Sequence, residues 1–143
     1  MIMKKAFKNK KVLITGHTGL KGSWLSLLLS HLGANVYGVS NNFSVDKTNY
    51  KNFRMKTKIN NHNIDIRDFK KFKKIIDQIK PNYIFHFAAQ SLVGEAYKKP
   101  LYNFETNING TLNLLEILRL SKFKCTSILI TSDKSYKNFE IKR

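Results

Sequence analysis

The sequence predicts an α/β protein built as a doubly wound parallel sheet, and three observations carry that expectation. Short β-branched runs alternate with amphipathic helical stretches, a glycine-rich turn joins the first strand to the first helix, and the fourth strand is apolar at nearly every position. A chain of 143 residues can bury a single core, so residues 1–143 are read as one domain.

The elements follow in order. The N-terminus, Met1 to Lys11, is basic and leads straight into a strand at Lys11-Val12-Leu13-Ile14-Thr15. Past Gly22 a helix is expected with Leu25, Leu28, Leu29 and Leu32 on its inner face, closed by Gly33 as a C-terminal cap. Ala34 to Val39 reads as the second strand, and Ser40 to Asn60 as a polar loop with one short helix around Tyr50 to Arg54. A brief third strand is placed near His62 to Ile64. The next helix sets Phe69, Phe72, Ile76 and Ile79 on one face, with Asp68 capping its start and Pro81 ending it. Tyr83 to Phe87 is the apolar fourth strand. A long helix from about Leu101 to Leu120 is expected to turn Leu101, Phe104, Ile108, Leu112, Leu115 and Leu118 inward, and Thr126 to Thr131 supplies a fifth strand.

Alternation of this kind requires crossover connections and therefore parallel strands. Ligands of such sheets lie beyond the carboxyl ends of the strands, here near Gly16, Ser40, Asp65, His86 and Thr131. Gly16-His17-Thr18-Gly19-Leu20-Lys21-Gly22 has the spacing G-x-x-G-x-x-G at the first of these ends. Gly16 suits the sharp turn, Gly19 lets backbone approach a pyrophosphate, and Gly22 lets the helix pack on the strand. The helix start adds free N–H groups and partial positive charge. This makes a Rossmann-like dinucleotide site the reading. After the second strand, Ser40-Asn41-Asn42 offers neither the acid that binds ribose hydroxyls nor the arginine that receives a 2′-phosphate; Asn41 or Asn42 can hydrogen-bond a ribose, and these residues leave the choice between NAD and NADP open.

Composition excludes several other classes. The formal charge of +17, from 26 Lys plus Arg against 9 Asp plus Glu, attracts phosphate-bearing ligands. The lysines are nevertheless scattered among asparagines without a groove-reading motif, so no nucleic-acid partner is expected. No apolar stretch is long enough to span a bilayer and no secretory leader is visible, which places the protein in the cytoplasm away from membranes. Cys125 is the only cysteine, read as a small buried hydrophobe, and no metal site is expected.

Five motifs together resemble the extended short-chain dehydrogenase/reductase family of epimerases and dehydratases, and within it the CDP-glucose 4,6-dehydratases. They are Thr15 to Leu25, Asp65-Ile66-Arg67-Asp68, His86-Phe87-Ala88-Ala89-Gln90, Thr106 to Thr111, and Thr131-Ser132-Asp133-Lys134. The resemblance implies NAD-dependent oxidation of a nucleotide sugar at C4, loss of water across C5 and C6, and hydride return to C6. It implies that Gly16, Thr18, Gly19, Leu20, Lys21 and Gly22 belong to the cofactor loop, with Asp65 and Ile66 at the adenine. His86, Phe87, Ala88, Ala89 and Gln90 would line the nicotinamide side, Thr131 would also meet the cofactor, and Asn107 would match a structural or proton-relay asparagine. Ser132, Asp133 and Lys134 would stand beside the sugar as hydroxyl donor, acid, and base or enolate partner. The substrate implied is CDP-glucose, and the full-length enzyme is expected to be a homo-oligomer. GDP-mannose-type dehydratases and epimerases share several of the motifs, and a non-catalytic dinucleotide-binding module is a further alternative.

One part of the family pattern is missing. The tyrosine base followed four residues later by lysine has no counterpart: the residues four beyond Tyr37, Tyr50, Tyr83, Tyr97, Tyr102 and Tyr136 are Asn41, Arg54, Phe87, Leu101, Thr106 and Glu140. The matching segment is expected beyond Arg143, together with the later strands and a substrate domain. Loss of such a base costs on the order of 10²–10⁴ in rate, so the chain alone is expected to be inactive.

Overall fold

The computed structural model describes residues 2–41 and 58–132. Each face of the sheet is built from alternate residues of the strands. Leu13, Val39 and Ile84 turn to one side, where they meet Phe72, Ile75, Ile76 and Ile79 and, beyond these, Leu114 and Ile117. Val12, Ile14 and Val36 turn to the other, against Leu29. The strands are β1 (Lys11–Thr15), β2 (Asn35–Ser40), β3 (Ile59–Asn63), β4 (Tyr83–His86) and β5 (Thr126–Leu129). They form one sheet in the order β3-β2-β1-β4-β5, with every neighbouring pair parallel. The expected α/β fold is therefore present, and the strand order reverses between β1 and β4, where such sheets open a crevice.

Helices α1 (Ile2–Phe7) and α2 (Leu20–His31) precede β2, α3 (Phe69–Ile79) joins β3 to β4, and α4 (Val93–Lys98) follows β4. Then α5 (Pro100–Phe104), a π-helical turn (Glu105–Asn109) and α6 (Gly110–Leu120) run on to β5. Asp68 caps α3 as anticipated, its side chain accepting from the Lys71 N–H. Lys80 closes the same helix in the left-handed region, immediately before Pro81.

Several expectations need correction. The N-terminus enters β1 through a helix, because Phe7 finds aromatic partners in Tyr83 (5.1 Å between ring centroids) and Phe85 (6.5 Å) on the sheet. In α2, Leu29 is buried with Leu25 and Leu32 packed beside it as expected, but Leu28 points outward and Gly22, Ser23 and Ser26 complete the buried face. Small side chains there let the helix lie close to the strand, and Ser26 is satisfied by donating to the Gly22 carbonyl at 2.7 Å. Strand β3 begins at Ile59, earlier than the polar sequence suggested, since it pairs by backbone with β2 and has one apolar residue in Ile59–Asn63. Strands β4 and β5 each stop short of the anticipated Phe87 and Thr131. The short helix expected around Tyr50 to Arg54 lies outside the described residues.

The largest correction concerns the helical run before β5. Its predicted inner stripe faces outward: Leu101, Phe104, Ile108, Leu112 and Leu115 are all exposed, and only Leu118 packs on the core. The buried positions are Thr106, Gly110, Leu114 and Ile117. Gly110 sits so near Ile66 that a Cβ there would lie 2.4 Å from Ile66 Cδ1. The π-helical turn inserts one extra residue into the helix and changes which residues share a face. Cys125 is half-buried rather than enclosed, and its desolvation pushes the thiol up to about 11.

Candidate functional site

Because all five strands are parallel, their carboxyl ends lie along one edge, and Gly16, Asn41, Asp65, the 87–90 segment and Thr131 all follow those ends. Gly16 adopts φ +70° and lies against the loop after β4, where a Cβ would come within 2.8 Å of the Ala88 nitrogen. A Cβ at Gly22 would stand 2.3 Å from the Gly16 carbonyl oxygen. The two glycines thus let the turn fold tightly between β4 and α2, as the spacing required. Gly19 forms the N-cap of α2 and, having no side chain, makes no capping hydrogen bond to that helix start. Leu20 and Lys21 are exposed there, and the first turn contains no acid. Thr18 is buried, its hydroxyl 2.9 Å from that of Ser40 at the end of β2. Free N–H groups, partial positive charge and a lysine form a cradle suited to a pyrophosphate.

Beyond β2 and β3 a polar cluster replaces the plain ribose contact. Asp65 accepts from Arg67 Nη2 at 2.7 Å and from the Arg67 backbone at 2.9 Å, and Asn41 Nδ2 donates to it at 3.2 Å. The bonded guanidinium holds the Asp65 carboxyl below its ordinary range. Arg67 also pairs with Glu105 at 2.9 Å and lies 4.5 Å over the Tyr102 ring. Tyr102 Oη in turn accepts from Asn41 at 3.3 Å and from Gln90 Nε2 at 3.4 Å. Asp65 is therefore tied into a network, while the Ile66 side chain is buried in the core and its carbonyl accepts from Asn113 Nδ2 at 2.9 Å. Tyr102 and Glu105 escaped the sequence reading because a helix of unknown rotation gave them no distinguishing mark.

The loop after β4 is held as firmly. Ala88 N–H donates to Thr15 Oγ1 at 3.1 Å, and Thr15 Oγ1 lies 2.8 Å from His86 Nδ1. His86 Nε2 lies 3.3 Å from Thr111 Oγ1, which donates to the Asn107 carbonyl at 2.7 Å. With Thr111 donating onward, it accepts from His86, which fixes the neutral Nε2–H tautomer and makes Thr15 the donor to Nδ1. Burial pushes His86 down to about 4, consistent with a neutral ring. Asn107, in the π-helical turn, grips Gln90 twice: its Oδ1 accepts from the Gln90 N–H at 2.8 Å and its Nδ2 donates to the Gln90 carbonyl at 3.1 Å. Phe87 packs on the apolar face beside β4, while Ala89 is exposed.

Thr131 and Ser132 follow β5 and are exposed at the same edge; Asp133 and Lys134 lie outside the described residues. Among the described residues no three His, Cys, Asp or Glu side chains converge as metal ligands, and no helix is long and apolar enough to cross a membrane.

The sequence model of the GDP-mannose 4,6 dehydratase family matches residues 13–138. A CDP-glucose 4,6-dehydratase of Salmonella typhimurium is 41% identical over 98% of this chain, which spans 39% of that protein. A GDP-mannose 4,6-dehydratase of Vibrio cholerae is 32% identical over 78% of the chain and 32% of its own length. Among solved structures, an epimerase of Methanothermobacter thermautotrophicus superposes with TM-score 0.80 at 28% identity, covering 99% of this chain and 41% of that one. A UDP-glucose 4-epimerase of Stenotrophomonas maltophila, with bound NAD and a formylated UDP-arabinopyranose, does so with TM-score 0.79 at 27% identity, covering 93% and 40%. The resemblance read from the motifs holds, and this chain belongs to the GDP-mannose 4,6 dehydratase family.

Proposed function

We propose that this chain is the dinucleotide-binding domain of a nucleotide-sugar 4,6-dehydratase, with NAD as cofactor and CDP-glucose as the substrate of the whole enzyme. The observation that carries the cofactor reading is the cradle at Gly16, Gly19 and Gly22, whose close backbone contacts fold the turn tightly onto the glycine-capped start of α2. The 41% identity to a CDP-glucose 4,6-dehydratase supports the sugar. In this reading Gly16, Gly19, Leu20, Lys21 and Gly22 receive the pyrophosphate, Thr18 braces the loop, and Asn41 meets the adenosine ribose. Asp65 and the Ile66 main chain border the adenine, and Phe87 to Gln90, with Thr131, border the nicotinamide.

NAD is favoured over NADP by the charges beside Asn41. Among the described residues there, Asp65 and Glu105 outnumber Arg67, which is already paired with both. Among these described residues a 2′-phosphate would meet two carboxylates and a guanidinium already paired with both. Titration of the folded chain with each cofactor tests this; tighter binding of NADP would contradict it.

A bound nicotinamide supplies a hydride acceptor and donor. The chain's own contribution is to orient it: the doubly gripped Gln90 and the Thr15–His86–Thr111 relay hold the bordering loop in one shape. In this reading Ser132 would hydrogen-bond the C4 oxygen as it becomes a carbonyl, Asp133 would protonate the departing C6 hydroxyl, and Lys134 would act at the C5 proton. No tyrosine here is followed four residues later by lysine, so the 143-residue chain is expected to bind cofactor without turning over CDP-glucose. Turnover by the purified chain would overthrow that part. Self-association of the whole enzyme is supported by the outward apolar stripe of Leu101, Phe104, Ile108, Leu112 and Leu115.

A further inference from the structure

His17 lies in the glycine loop and is fully buried, an unusual place for an imidazole between two turn glycines. Its ring lies across Gly38 in β2, where a Cβ would come within 2.3 Å of His17 Cδ2 and 2.6 Å of Nε2. Gly38 is thus the slot that admits the ring. Across Gly38 the imidazole reaches the residue paired with it in β3, Asn61, and Nε2 lies 2.8 Å from Asn61 Oδ1. Asn61 Nδ2 donates to the Ile59 carbonyl at 3.2 Å, which turns Oδ1 toward His17 and makes Nε2–H the donor. Thr18, the next residue, bonds to Ser40 at the end of β2. The first turn of the loop is therefore fastened to two strands by side chains, in addition to the freedom its glycines provide.

The fastening matters because β3 is an edge strand with β2 as its sole neighbour among the described residues, and Ile59 is its one apolar residue. Little hydrophobic burial holds it in place. We propose that His17 is a positioning residue of the dinucleotide site: inserted over Gly38 and bonded to Asn61, it sets the pyrophosphate-binding shape of the glycine loop and couples that shape to the docking of β3. The inference rests on the dinucleotide reading above. It adds that cofactor and edge strand stabilise each other through one side chain.

The test is a double-mutant cycle on His17 and Gly38 in the complete 143-residue chain, with NAD affinity and thermal melting measured separately. His17→Leu keeps bulk and loses the donor; below its melting temperature it is expected to bind NAD about tenfold more weakly. His17→Gln, whose amide nitrogen can replace Nε2, is expected to recover most of the affinity. Gly38→Ala changes no hydrogen-bonding atom but displaces the ring, so it should weaken binding similarly, and the double variant should be no weaker than His17→Leu. NAD should slow amide exchange in Ile59–Asn63 of the wild type and fail to do so in His17→Leu. A His17→Leu chain that melts lower yet binds NAD as the wild type does would reduce His17 to a stabilising core residue and overturn the proposal, as would additive losses in the cycle. Failure of the wild type itself to bind NAD would instead overturn the dinucleotide reading. Amide exchange of β3 in the ligand-free chain, expected to quicken in His17→Leu, then decides the coupling by itself.

Discussion

The glycine loop and the helical run from Pro100 to Leu120 solve the same problem, close approach of backbone, in opposite sequence environments. In the loop, the close contacts fall on glycines that announce themselves by spacing: Gly16 against Ala88, Gly22 against Gly16. In the helical run, contact falls on Thr106, Gly110, Leu114 and Ile117, while equally apolar side chains at Leu101, Phe104, Leu112 and Leu115 point away. Apolar bulk is thus a poor guide to the buried face wherever a small residue is what allows two elements to meet.

The comparison can be broken most forcefully in the helix. Leu114→Ala should lower unfolding free energy by about 2–5 kcal/mol, measured by chemical denaturation, because the side chain is wholly enclosed. If Leu115→Ala cost as much as Leu114→Ala, the outward assignment of the stripe would fail.

The relay through His86 gives the next largest effect, and its sign is fixed. The ring titrates at 6.5 when unfolded and at about 4 in the fold, so the unfolded chain binds more protons below the higher value. The stability it contributes is complete above about pH 6.5 and is lost as pH falls towards 4, on the order of 3 kcal/mol in all. Replacement by an uncharged residue, His86→Asn, should flatten that limb of the stability–pH curve; an unchanged slope would remove His86 from the account.

Gly16→Ala comes third. Positive φ and the near approach of Ala88 both oppose a Cβ, and a loss of about 1–2 kcal/mol is expected with a larger effect on cofactor binding than on melting. The smallest effect belongs to Leu115→Ala, within about 0.5 kcal/mol in the isolated chain.

Much of this was legible in the sequence for local reasons. Asp68, three residues before Lys71, specified its own cap, and the β-branched run before Gly16 specified β1 and its turn. The five strand ends were located well enough to gather the site. What was not legible depended on partners distant in the chain. Phe7 makes α1 worthwhile only once Tyr83 and Phe85 lie beside it, and β3 has no hydrophobic pattern because its order comes from pairing with β2. The role of His17 required knowing that Gly38 and Asn61 stand next to each other across two strands. The rotation of the long helix was lost at the π-helical turn, and with it Tyr102 and Glu105, whose contacts with Arg67 shape the region beside Asn41.

The central claim is that the glycine loop holds a nicotinamide dinucleotide. Calorimetric titration of the folded 143-residue chain with NAD tests it most directly. Saturable binding to one site, raising the melting temperature in step with ligand concentration, is the result predicted; a folded chain that neither takes up NAD nor melts higher at saturating concentration would contradict it.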